Sequence, residues 1–170
     1  MVFRKKVTVI FYYFFSFYSF FDVFFRKETL EDGIKKGLRG TEREKCLASR
    51  LTAIFGMCTD DGEGFYNSLK DDLQNAISNS IGSSKYAAAE IIKAWATLAF
   101  IAGDEHDNLE FISKCVEWGK IESCSSECKK AIVSAIGFCT SALPGNTVVE
   151  KIIPEYVILK IMIIFYKNNF

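Results

Sequence analysis

Six cysteines, one histidine and two short acidic, glycine-bearing runs are the residues whose types and spacing invite a chemical reading. Cys124-x3-Cys128 could offer two thiolates to a zinc ion, with Cys115 as a third. Structural zinc sites take four ligands, and the single histidine, His106, lies apart from them. His106 sits in Gly103-Asp104-Glu105-His106-Asp107, which reads as a hydrophilic turn. A general base needs an oriented, partly enclosed site, so His106 is not expected to be catalytic. Gly62-Glu63-Gly64 lacks the preceding strand and the third glycine of a phosphate-binding loop. Asp60-Asp61-Gly62-Glu63 lacks the length and the terminal glutamate of a calcium loop and reads as a charged loop. Asp71 and Asp72 read as an exposed helix face. Four of the cysteines fall among apolar residues in helical stretches, where Cys behaves as a small hydrophobe. A core of this size needs no disulfide staples. No catalytic residue, metal site, cofactor or small-molecule substrate is therefore expected.

The elements that would carry such residues follow from composition and periodicity. A chain of 170 residues, 49% hydrophobic and 25% charged, is long enough to bury a core and is not disordered by composition. Its formal net charge is zero but uneven: residues 29–153 hold fourteen basic and eighteen acidic side chains. That acidic body argues against a nucleic-acid surface, which needs clustered Lys and Arg. The doublets Lys35-Lys36 and Lys129-Lys130 read as solvated helix faces.

The middle of the chain reads as helix after helix. Thr29 is placed to cap a first helix over 30–38, with Leu30, Ile34 and Leu38 on one stripe and Gly40 ending it. Thr41 starts a second, with Glu42 and Glu44 in the first turn and Leu47, Leu51, Ile54, Phe55 and Cys58 as its apolar run. The loop Asp60–Gly64 breaks it. A third, about 65–78, turns Phe65, Leu69, Leu73, Ala76 and Ile77 inward. Ser83 or Ser84 caps a fourth, about 85–102, the most apolar of all. A fifth spans 108–118, with Leu109, Ile112, Cys115 and Val116 on one face. Ser125 or Ser126 caps a sixth, about 127–143, which Pro144-Gly145 ends. A seventh begins near Thr147 and meets Pro154. No run shows strand-like alternation.

Shifting the sequence by 41 residues superposes the even-numbered helices: Leu51, Ile92 and Val133 coincide, as do Ala53, Ala94 and Ala135. Ile54, Trp95 and Ile136 form a third column, and Met57, Leu98 and Cys139 a fourth. Such a period with two helices per repeat is that of armadillo and HEAT arrays, in which each pair buries its apolar face only against its neighbours. The expected fold is all-α, an armadillo/HEAT-like α-solenoid of about three helix pairs. The second helix of each pair is the inner one, and Trp95 is the largest side chain of its core.

The two ends differ from this body. Every alanine lies between Ala48 and Ala142, whereas the first 25 residues hold nine of the sixteen Phe. Val7–Phe25 carries one charge, Asp22, and approaches the length of a spanning helix. It reads as a hydrophobic anchor or as translated flanking sequence of an AT-rich gene. The expected division is 1–27 as this Phe/Tyr-rich segment, 28–153 as the helical-repeat domain and 154–170 as an apolar tail.

Thr29-Leu30-Glu31-Asp32-Gly33-Ile34-Lys35-Lys36-Gly37-Leu38 opens a helix with Thr-Leu-x-Asp and ends it in a basic, Gly-containing stretch. A small-residue helix follows, with Cys46-Leu47-Ala48-Ser49-Arg50-Leu51. Ala94-x3-Leu98-Ala99-Phe100-Ile101-Ala102-Gly103-Asp104 forms a second block, ending in Phe-Ile-Ala and an acidic turn. In order and spacing these resemble the amino-terminal helical-repeat region of the interferon-related developmental regulator family, strongly over 29–118 and weakly over 125–154. The resemblance implies an armadillo-like fold and a non-enzymatic co-regulator of transcription and differentiation. It also implies protein partners on the solenoid surface, with transcription complexes or the ribosome among them, in the nucleus, the cytoplasm or both. The family's carboxy-terminal region has no counterpart here, so the chain is expected to be a fragment. The alternative is a helical domain held at a membrane by Val7–Phe25.

Overall fold

The computed structural model describes residues 27–102, 104–154 and 157. The chain divides into two compact units, Met1–Gly33 and Ile34–Phe170. Val7–Phe25, with both its anchor and its flanking-sequence readings, lies outside the described residues, as does most of the tail from 154. Among the described residues there is no strand, and no helix is long and apolar enough to cross a membrane.

Among the described residues seven α-helices follow one another: α1 (Lys27–Leu38), α2 (Glu42–Cys58), α3 (Gly62–Ser78), α4 (Ala87–Ala102), α5 (Glu105–Gly119), α6 (Ser126–Thr140) and the single turn α7 (Gly145–Thr147). α7 runs on as a π-helical turn, Val148–Ile152. Side-chain oxygens start most of them by accepting from amides that a first turn leaves unpaired. Thr41 and Glu44 form a full capping box on α2, with the Thr41 amide 2.7 Å from the Glu44 carboxylate. Asp61 accepts from the Gly64 amide, Ser84 from Ala87 and Ser125 from Cys128, at 2.9, 3.2 and 3.2 Å. Asp104 accepts from His106 and Asp107.

The caps correct several sequence expectations. Asp61 caps α3 at Gly62, so Gly62-Glu63-Gly64 is a first helical turn and not a loop. Asp104 starts α5 at Glu105, three residues before the expected Asn108, because an acidic N-cap outweighs the hydrophilic look of the run behind it. Thr29 lies within α1. α4 begins at Ala87 and α6 ends at Thr140.

Within the unit from Ile34 onward, α2 packs on α4 and α4 on α6, side by side, while α3 and α5 pack on the same row. This is the expected all-α helical-repeat solenoid. Phe65, Leu69, Leu73, Ala76 and Ile77 are buried as expected. Trp95 is fully buried at the centre, with ring centroids 5.3 Å from Phe111 and 5.7 Å from Trp118. Its Nε1 donates to the Tyr66 hydroxyl at 3.5 Å, and burial pushes the Tyr66 phenol up to about 12.

Between α2 and α4 the buried positions recur at 40 residues instead of the expected 41, while the 41-residue columns Ala94/Ala135, Trp95/Ile136 and Leu98/Cys139 are buried on both α4 and α6. Arg50 reaches Glu90, Lys70 reaches Glu110 and Lys114 reaches Gln74, each pair 40 apart in sequence. The buried columns keep that spacing: Ala48, Ala88 and Cys128; Thr52, Ile92 and Ile132; Gly56, Ala96 and Ile136. Ile54 and Met57, aligned with core positions by the longer shift, are 50% and 64% exposed. The slip has a physical cause. α4 is apolar on nearly every side, so a one-residue phase error still pairs apolar with apolar. The charged rungs and the small buried residues of α2 fix the phase. α2 also buries its small residues instead of its large ones: Ala48, Ser49, Thr52 and Gly56 face inward, and Leu47 is exposed. A Cβ at Gly56 would collide with Leu98 Cδ2, so this glycine sets the approach of α2 to α4.

Candidate binding surface

None of the chemically suggestive residues converge on a reactive site among the described residues. Cys115, Cys124, Cys128 and Cys139 are buried thiols, and Cys46 and Cys58 are half-buried; none of the six forms a disulfide. Burial pushes Cys115 up strongly and Cys139 up to about 12. Cys124 and Cys128 hydrogen-bond to each other, which holds Cys124 below the ordinary thiol range and raises Cys128 far above it. Thiols held protonated, as Cys115, Cys128 and Cys139 are, make poor nucleophiles, and Cys124 is buried. No group of three His, Cys, Asp or Glu side chains among the described residues could hold a metal ion. His106 lies exposed in the first turn of α5. Asp60 is exposed, and Asp61 is occupied as a cap.

What the fold does assemble is a surface on α2, α4 and α6 opposite the outer helices. Along α4 it carries Tyr86, just before the helix and 58% exposed, then Glu90, Lys93, Thr97 and Phe100 at helical spacing. Glu90 binds two cations at once, Arg50 of α2 at 2.9 Å and Lys93 at 2.8 Å. Those bonds hold its carboxyl below the usual range although burial opposes them. Phe100 of α4 stacks on Phe138 of α6 with centroids 4.5 Å apart, and both rings stay exposed, at 38% and 43%. Periodicity alone missed this pair because both lie outside the buried stripe. The charged rungs were findable: opposite charges recur 40 residues apart at Arg50/Glu90 and Lys70/Glu110.

The outer helices are tied by a denser rung. Lys70 of α3 meets both Asp107 and Glu110 of α5 at 2.7 Å, with only 22% of its side chain exposed. Burial works against the Lys70 charge, but the two carboxylates hold it above the ordinary lysine range. The Lys70 bond in turn lowers Glu110. A carboxyl lowered by folding stabilises fully above its ordinary value of 4.5 and loses that stabilisation as pH falls through its folded value. The lysine contribution is full below 10.5 and is lost at higher pH. Lys70→Met is expected to cost about 1–2 kcal/mol at neutral pH, between the ranges for exposed and buried pairs. It should also flatten the acid limb of stability. Denaturant melts between about pH 7 and pH 3 measure both, and an unchanged acid limb would refute the assignment.

A row of inner helices joined by rungs one repeat apart, with a second row packed on it, defines a helical-repeat protein of the α-solenoid class. Residues 5–162 match the family model described as Interferon-related developmental regulator (IFRD), and the chain belongs to that family. The match runs beyond the 29–118 stretch on which the resemblance was strongest. Searches of curated proteins and of solved structures return no match.

Proposed function

We propose that this chain is a non-enzymatic, protein-binding regulator of transcription or development, acting in the nucleus, the cytoplasm or both. The observation that carries the reading is the exposed Phe100–Phe138 stack on the inner-helix face. Two large rings held in contact yet left in solvent are what a protein partner covers, since aromatic residues are enriched where interfaces desolvate. Membership of a family not known for enzymes supports the same reading. The partners are proteins of a transcription complex or of the ribosome.

The full chain fused to a DNA-binding module should change output from a tethered reporter several-fold. Phe100→Ser combined with Phe138→Ser should abolish the change while the far-ultraviolet helical signal persists. An unaltered reporter, together with no protein cross-linked to the inner face in cell extract, would overturn the proposal.

A further inference from the structure

Arg43, Leu47, Arg50, Ile54 and Met57 follow one another along α2 at alternating spacings of four and three, which places them on one face. That face is open: Leu47, Ile54 and Met57 are 59%, 50% and 64% exposed. The repeat shows what such a face normally meets. On α4 the flank toward α2 is marked by Glu90, which binds Arg50, and by Leu98, which Gly56 accommodates. Ala87, Ala94 and Leu98 on that flank are buried. Their counterparts one repeat earlier are Leu47, Ile54 and Cys58. α2 therefore leaves open, at Leu47 and Ile54, the flank that α4 covers with its predecessor, and fills it with larger side chains than Ala87 and Ala94; Arg43, Arg50 and Met57 lie along its solvent rim, Arg50 also reaching across to Glu90 of α4. Arg43 is exposed and has no ion-pair partner among the described residues. Arg50 shares Glu90 with Lys93, leaving that trio with a net positive charge.

We propose that this edge of α2 docks an acidic amphipathic helix of a partner protein, laid alongside α2 as the next inner helix is laid on its other side. The inference rests on the protein-binding reading and names the chemistry of one partner. The apolar stripe selects a helix with residues recurring every three or four positions. Arg43 and Arg50 select carboxylates beside that stripe and disfavour a basic helix. Leu47, Ile54 and Met57 have nothing to offer a phosphate backbone, so a nucleic acid is the poorer occupant.

The test is fluorescence anisotropy with the full chain and a synthetic helical peptide of about five turns, with leucines on one face and glutamates flanking them. A control peptide keeps the leucines and carries lysines instead. The acidic peptide should bind at least about ten-fold tighter than the basic one, a difference of about 1.4 kcal/mol. Leu47→Asp with Ile54→Asp should abolish binding, and Arg43→Glu with Arg50→Glu should weaken the acidic peptide and favour the basic one. These are exposed positions, and the helical signal of each variant checks folding. No binding, equal binding of both peptides, binding indifferent to the substitutions, or occupation of this edge by a second copy in sedimentation would each overturn the inference. So would tighter, stripe-dependent binding of single-stranded RNA. If the peptide fails but the tethered reporter still responds, only this inference falls; if both fail, the protein-binding reading falls with it.

Discussion

Trp95→Ala is expected to lower the free energy of unfolding by about 3–5 kcal/mol, the range for removing a large aromatic from a well-packed core. Three losses combine at this site. The indole is fully buried, so its whole apolar surface leaves a cavity. Phe111 and Trp118, packed on it at 5.3 and 5.7 Å, lose their common partner. The buried Tyr66 hydroxyl loses the Nε1 donor. Whole domains are stable by only about 5–15 kcal/mol, so the variant should be largely unfolded near physiological temperature. Thermal and urea unfolding followed by circular dichroism read the effect. Trp95→Phe, which keeps much of the volume, should fall between the two. A melting temperature unchanged in the alanine variant would show that α4 is not the centre of the core.

Asn108→Asp should be comparably damaging, and its cost should depend on pH. Asn108 is completely buried in the first turn of α5. Its amide nitrogen donates to the Ala99 carbonyl at 2.9 Å, near the end of α4, and to the Asp104 carbonyl at 2.8 Å. Its Oδ1 has no partner among the described residues. A carboxylate would aim only acceptors at two carbonyl oxygens and would bury an uncompensated charge, at about 3–5 kcal/mol. The α5 amino-terminal dipole favours an acid there, but by at most about 2 kcal/mol, so burial decides. The new carboxyl would have its folded value raised above the ordinary aspartate value of about 3.9. Between those two values the folded chain holds the proton and the unfolded chain does not, so stability falls as pH rises. The deficit relative to the parent protein should shrink toward pH 4 and be full at neutral pH. A deficit that ignores pH would mean that the side chain has swung out to water. Asn108→Leu, with no donor and no charge, separates the lost hydrogen bonds from the buried charge.

Much of this fold was legible because amphipathic periods and caps act over a few residues. The stripe of α3 from Phe65 to Ile77 and the starts at Thr41 and Ser125 needed nothing from the rest of the chain. The phase of the repeat was not legible, because the apolar run of α4 accepts either shift, and what distinguishes them is the charged pairs Arg50/Glu90 and Lys70/Glu110 and the burial of small residues on α2. The inward face of α2 was misread for a related reason. Hydropathy ranks Leu47 and Ile54 above Thr52 and Gly56, but close approach of α2 to α4 needs small side chains. The hydroxyl of Thr52 is made harmless by donating to the Ala48 carbonyl at 2.8 Å. The exposed ring stack was also hidden. Nothing in a one-dimensional pattern tells that Phe100 and Phe138, from different helices, meet each other in solvent.

The rungs between helices have a consequence for how the chain is made. Arg50–Glu90, Lys70–Glu110, Gln74–Lys114 and Thr147–Glu105 each join residues 40 to 42 apart. Each helix pair thus finds its stabilising neighbour as soon as the following pair leaves the synthesis machinery, without waiting for a distant terminus. Growth of this kind closes no long loops and leaves apolar surface bare only at the advancing front.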